Sequence, residues 1–324
     1  MIDKICEELN LGSLISTEML FGGETNIVYK VKTTIGEYVI KLINSDRVKH
    51  NKKLISNIEK SEIIAVEALK NGVNAICAIK FKNKYVQCFN KQYFLVFKYF
   101  DGKVLLSREI KLKHVKKLAI ELAKLHSIKV KKRKINFKYK KIDYKKYYNL
   151  LENTNEEWVL FFKENFNDLY NIYELVFNNY KKLSNQTVCI HNDYNRKNIL
   201  WKNDIPYIID WETASFGNPS IDFFLSAWFL TDDVDEKKYR IFVKTYFSMF
   251  KLKDNVHISI YAAIVEECNW LCFSLERALG LYSKSESEIT LGKNAIVPSL
   301  TEIINYYRKI PVMIKITEEI INDG

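Results

Sequence analysis

The chain has 324 residues, 48% of them hydrophobic and 27% charged, with a formal net charge of +11. This composition supports a sizeable core and excludes a broadly disordered chain, and only 10 Gly and 4 Pro exclude collagen-like, linker-like and Pro-rich architectures. The basic excess is mostly Lys scattered among Ile and Asn, with little of the base-reading residue Arg, so no nucleic-acid partner is expected.

In chain order, residues 2–9 fit a short amphipathic helix with Ile2, Ile5 and Cys6 on one side. Beyond Gly12 the pattern turns strand-like. Ser13–Phe21 leads into Gly22-Gly23, Asn26–Thr33 alternates apolar and basic residues, and Glu37–Ile43 follows a turn at Thr34-Ile35-Gly36. The spacing of Ile55, Ile58, Glu62, Ala65 and Leu69 predicts a helix over 55–71, closed by Gly72. Ile76–Phe81, Tyr85–Phe89 and Tyr93–Phe97 read as further strands. The first hundred residues are therefore a mostly antiparallel sheet with one inserted helix.

After Asp101-Gly102 the chain reads as mainly helical. Helices are predicted over 114–126, 144–151 and 156–183. A compact β-like section spans Val188–Trp211. Further helices are predicted at about 219–230, 235–250, 255–279 and 287–309, with a shorter one after Pro311. Purely apolar runs fall far short of the roughly 20 residues of a membrane span, so no membrane partner is expected. The opening MIDKICEELN carries acids and no apolar core, so no secretory leader is expected. The six cysteines form no CxxC pair and read as reduced thiols of a cytoplasmic protein.

The most informative stretch is His191-Asn192-Asp193-Tyr194-Asn195-Arg196-Lys197-Asn198-Ile199-Leu200, followed by Ile208-Ile209-Asp210-Trp211-Glu212. Asp193 and Asn198 lie on one loop between apolar strands, and Asp210 ends the next strand. A hairpin brings 198 and 210 together, giving two carboxylates and an amide. That oxygen set suits Mg²⁺ completed by substrate phosphates, and with no competing Cys or His cluster zinc is not expected.

H-N-D-x-x-x-x-N-I-L followed by I-I-D-W-E resembles the aminoglycoside phosphotransferase and choline kinase superfamily, the small-molecule branch of the protein-kinase-like fold. Asn192 stands where protein kinases usually carry Arg, and Asp210-Trp211-Glu212 where they carry D-F-G. No activation segment is recognisable between Asp210 and Asp222. The resemblance implies an α+β, bilobal fold: a nucleotide-binding N-lobe over 1–100 and a larger helical C-lobe over 101–324. The C-lobe would hold the catalytic loop at 188–222 and acceptor-binding helices at 231–324. It implies ATP, with GTP possible, and Mg²⁺. Asp193 resembles the catalytic Asp that orients the acceptor hydroxyl, and Asn198 and Asp210 resemble the magnesium ligands. His191 resembles a structural support of the loop, and Asp222 the buried Asp that hydrogen-bonds the loop backbone.

In the N-lobe, Gly22, Gly23, Thr25 and Asn26 sit where this family has its phosphate-covering loop. Lys41 projects from its strand with Val39 and Ile43, opposite Ile40 and Leu42. A lysine among apolar residues wants an anionic partner, and it resembles the strand lysine that contacts the α/β-phosphates. Glu62 resembles its ion-pair partner, with Glu59 and Glu67 as rivals. Lys98 and Phe100 resemble the hinge whose backbone bonds adenine. Leu122–His126 resembles the L-x-x-L-H helix end of this branch, with His126 read as a packing or capping residue.

Glu266, Asn269, Trp270 and Phe273 share a face of one predicted helix. A cationic acceptor would suit Glu266 and Trp270 there. The resulting reading is phosphoryl transfer to a hydroxyl of a small, amino-bearing molecule. Choline, ethanolamine or another small metabolite is the alternative acceptor, and a non-catalytic binding protein on the same fold is the rival from another class.

Overall fold

A computed structural model describes residues 1–20, 26–129 and 139–323. In chain order the elements begin with α1 (Ile2–Glu8), β1 (Leu14–Leu20), β2 (Ile27–Thr33), β3 (Glu37–Leu42), α2 (Ser45–His50), α3 (Leu54–Lys70), β4 (Gln87–Phe89) and β5 (Gln92–Lys98). Next come α4 (Leu112–His126), α5 (Tyr144–Leu150), α6 (Glu157–Glu164), α7 (Phe166–Tyr180), β6 (Val188–Ile190), β7 (Ile199–Lys202), β8 (Ile205–Ile208) and β9 (Ser215–Gly217). The chain closes with α8 (Pro219–Leu230), α9 (Glu236–Phe247), α10 (Val256–Ala263), α11 (Val265–Ala278) and α12 (Glu286–Asn322). This is a mixed α+β protein with two compact units. One comprises Met1–Leu106 and His191–Ser215, the other Ser107–Ile190 and Phe216–Gly324.

The first unit is built on a five-stranded antiparallel sheet in the order β1-β2-β3-β5-β4. Period two assigns its faces. Ile40 and Leu42 of β3, with Phe94 and Val96 of β5, bury against Ile5, Cys6 and Leu11. Leu95, and Ile43 just past β3, go to the other face with Leu54 and Ile58 of α3. Each such side chain contributes roughly 1.5–3 kcal/mol on burial. Lys41 lies between Val28 of β2 and Leu95 of β5 in register, so paired strands on both sides fix its position. Within the same unit β7 and β8 form the hairpin that carries the loop His191–Asn198, and Ile76 N–H donates to the Ile208 carbonyl at 2.9 Å.

Several local expectations are corrected. Ile76–Phe81 is not a strand. Its Ala78 N–H donates to the Glu62 carboxylate at 2.9 Å, and Tyr85 and Val86 N–H groups donate to Glu59 at 2.9–3.1 Å. Carboxylates of α3 thus replace ladder partners. A further helix, α2, is N-capped by Asn44, whose side chain accepts from Asp46 N–H at 2.8 Å.

The second unit is helical apart from β6, which pairs with β9. The stretch predicted as one helix over 156–183 breaks at Asn165, whose side-chain amide donates to the Phe161 carbonyl at 2.9 Å. The stretch over 255–279 divides at Ile264. By length and composition Val256–Ala278 is apolar enough to cross a membrane, but 56% of its apolar 18-residue window is buried inside the protein. Conversely, α12 runs through Pro298 and Pro311 without ending. A helical Pro costs about 3 kcal/mol, which burial of Ile296, Leu300, Ile303, Ile310, Met313 and Ile316 outweighs. At Gly292, α12 approaches α11 so closely that an added Cβ would stand 2.4 Å from Ala278 N.

Candidate active site

Lys41 is the hub of the first unit's polar network. Its Nζ lies 2.8 Å from Asp210 Oδ1 and 2.7 Å from Glu212 Oε1. Burial alone would lower its pKa, but the two carboxylates hold it well above the ordinary lysine value. Asp210 has left-handed backbone (φ 61°), an uncommon conformation for a non-glycine residue that recurs at functional sites. Burial would raise its pKa, yet Lys41 draws it below the usual carboxylate range, so it stays ionised.

Asp193 behaves in the opposite way. Burial raises its pKa, and the Lys197 ammonium and the Asn198 amide offset only part of the rise. Its Oδ1 accepts from Asn195 Nδ2 at 2.5 Å and its Oδ2 from Asn198 Nδ2 at 2.8 Å. Asn198 Nδ2 also reaches the Asp193 carbonyl at 2.9 Å, which turns the amide oxygen of Asn198 the other way. The charge of Asp210 acts on Asp193, so all three oxygen-bearing residues share one electrostatic neighbourhood.

His191 is fully buried, with its ring between Tyr194 and Trp211 and Nε2 3.1 Å from the Ile209 carbonyl. Its own carbonyl accepts from the Thr213 hydroxyl at 3.0 Å. The ring therefore joins the start of the loop to the segment that carries Asp210.

The donor set fits a hard cation. Asp210 and Asn198 carry oxygen donors of the type Mg²⁺ takes when phosphates and waters complete its shell. Among the described residues no group of three or more His, Cys, Asp or Glu side chains suits a metal ion.

The remaining expected residues take the following places. Glu62 does not pair with Lys41. It accepts from Ala78 N–H, and burial pushes its pKa up to about 7. The physical reason is that Asp210 and Glu212 already compensate the lysine, and a third anion beside it would be an uncompensated buried charge. Asn26 Nδ2 contacts both Glu212 oxygens, at 2.9 and 3.1 Å. Gly22, Gly23 and Thr25 lie outside the described residues. Lys98 closes β5 opposite Tyr38. The Phe100 carbonyl accepts from Gly102 N–H at 3.0 Å, and the Phe100 ring lies 4.3 Å from that of Tyr207.

In the second unit, Asp222 Oδ2 lies 3.0 Å from His126 Nε2, and His126 Nδ1 2.6 Å from the Tyr246 hydroxyl, all three residues being buried. His126 thus anchors Asp222 rather than only packing. Glu266 accepts from the Tyr139 hydroxyl, and the Trp270 and Phe273 rings are 5.7 Å apart.

Sequence reasoning missed Glu212 and Arg47. Glu212 is the second acid of I-I-D-W-E, two residues after Asp210, and that spacing was the available signal. Nothing in the sequence pointed to Arg47, whose guanidinium reaches Glu212 Oε2 at 3.4 Å.

The sequence pattern of the phosphotransferase enzyme family matches residues 20–254. The chain belongs to that family. It is a phosphotransferase acting on hydroxyl groups of small molecules. Comparison with curated proteins finds no match. Among solved structures, a spectinomycin phosphotransferase bound to ADP and spectinomycin is similar, with 15% identity, TM-score 0.68, and 94% of this chain and 96% of that one covered. So is a choline kinase from Streptococcus pneumoniae, with 19% identity, TM-score 0.60, and 93% and 99% covered. A Plasmodium vivax ethanolamine kinase has 19% identity and TM-score 0.57, with 88% and 81% covered. At these identities the likeness concerns the fold.

Proposed function

We propose that this phosphotransferase moves the γ-phosphoryl group of ATP to a hydroxyl of a small, amino-bearing molecule with the help of Mg²⁺, as an aminoglycoside phosphotransferase-like enzyme; GTP is the second nucleotide to test. The observation that carries the reading is the divergence of two carboxylates in one hairpin. Asp193 is pushed towards proton affinity and Asp210 towards permanent charge. Environments that separate two acids in this way separate a base from an electrostatic partner.

In this reading Asp193 orients the acceptor hydroxyl and takes its proton, a contribution of roughly 10²–10⁴-fold. Asn195 and Asn198 fix the Asp193 carboxylate. Lys41 meets the nucleotide phosphates, while Asp210 and Asn198 hold the metal. When bound, Mg²⁺ would neutralise phosphate charge. His191 and Asp222 support their segments. Asn26 borders the phosphate loop with Gly22, Gly23 and Thr25, and the backbone of Lys98 and Phe100 serves adenine. The catalytic loop belongs to the stretch 188–222.

Glu266 and Trp270 are the proposed acceptor contacts within 231–324. Choline or ethanolamine is the second reading, favoured by the Trp270–Phe273 aromatic pair on the helix that also bears Glu266. A cytoplasmic location fits six free cysteines.

The test is a nucleotide-consumption screen over aminoglycosides, choline and ethanolamine with Mg²⁺. We expect acceptor-dependent turnover that Asp193→Ala reduces by about 10²–10⁴-fold. Turnover unchanged in Asp193→Ala, or none with any acceptor, overturns the reading.

A further inference from the structure

The hub at Lys41 extends to a second cation that neither the motifs nor the proposed mechanism uses. Glu212 splits its carboxylate between two positive side chains. Oε1 takes Lys41 at 2.7 Å, and Oε2 takes Arg47 at 3.4 Å. Asn26 clamps the same carboxylate through both oxygens. Asn26 Oδ1 in turn accepts from the backbone N–H of Asn44 at 3.1 Å, and Asn44 caps the helix that carries Arg47. Glu212, Asn26, Asn44 and Arg47 close a polar ring, and Lys41 joins it through Glu212.

This ring is not explained by packing. No residue of α2 is buried, yet its arginine turns inwards, with its side chain only 23% exposed. Like a pair of phosphate oxygens, the Glu212 carboxylate offers two anionic acceptors, one to a lysine and one to an arginine. A guanidinium fork matches such oxygens better than an ammonium does.

We propose that Arg47 is a second phosphate-binding cation of this site, held beside Lys41 by Glu212 and directed at the terminal phosphates of the nucleotide. The proposal rests on the nucleotide reading above. Lys41 then serves the inner phosphates from the rigid sheet, and Arg47 the outer ones from a short helix able to adjust. Glu212 is a positioning residue that sets the spacing of the two cations.

Calorimetric titration of the wild type, Arg47→Ala and Arg47→Lys with Mg·ATP and with AMP tests this. We expect Arg47→Ala to weaken Mg·ATP binding about 10- to 100-fold, the size of a lost charge-assisted phosphate contact, with AMP affinity unchanged. Arg47→Lys should fall between, keeping charge without the fork. Mg·ATP affinity equal to wild type in Arg47→Ala, or equal losses for AMP and Mg·ATP, overturns the proposal and leaves a purely structural tie. A wild type that binds AMP and Mg·ATP not at all instead overturns the nucleotide reading beneath it.

Discussion

The hairpin segment His191–Ser215 and the helix pair α11–α12 solve opposite problems. The hairpin segment concentrates polar groups: Asn198 donates to Asp193, Asp210 and Glu212 both take Lys41, and the backbone is left-handed at Asn192 (φ 65°) and Asp210 (φ 61°). The helix pair concentrates apolar contact, with Leu271, Leu275, Ile296 and Leu300 buried and Gly292 letting two backbones meet. In the helix pair a buried charge appears once among these contacts, where Arg277 Nε meets Glu288 at 2.9 Å. Identity therefore matters residue by residue in the hairpin, whereas in the helices volume and polarity suffice almost everywhere.

The sharpest way to break this contrast is at its exception. Glu288→Ala leaves the buried Arg277 without its carboxylate and should cost about 3–5 kcal/mol of stability, read as a fall in denaturant midpoint. A loss as small as that of a surface mutation would mean the pair is dispensable and the helix contrast complete. Next in size, Asp210→Asn removes the ionised carboxylate while Lys41 keeps Glu212. It should lower kcat by about 10²–10³-fold, as loss of a preorganised electrostatic group does, with little change in thermal midpoint. Near-normal turnover in that variant would move the chemistry out of the hairpin.

The smallest effect concerns Glu62. Its folded pKa, pushed up to about 7, lies above the unfolded value near 4.5, so the folded state holds the proton more tightly. Stability conferred by the protonated form is complete below the unfolded pKa and is lost as pH rises through about 7. Glu62→Gln keeps an acceptor for Ala78 N–H without the charge. Its thermal midpoint should match wild type near pH 4 and exceed it increasingly towards pH 8, by at most about 3 kcal/mol of stability. An offset independent of pH would show that Glu62 is ionised in the folded protein throughout.

Much of the first unit is legible in the amino-acid order because local rules act there. Alternation in Glu37–Leu42 predicts which face Lys41 shares, and the apolar runs around Asp193, Asn198 and Asp210 predict the hairpin that gathers them. The motif residues are readable since phosphoryl transfer demands oxygen ligands and a base at fixed spacing. Tertiary structure alone decided the rest. Nothing local says that Lys41 takes Glu212 in place of Glu62, because that choice depends on which buried carboxylate another N–H already satisfies. Nor does the chain announce that α12 survives two prolines, since the compensating burial comes from residues far away in sequence. Period and motif are written within a few residues; the matching of charges and the filling of a core are settled by neighbours that only folding brings together.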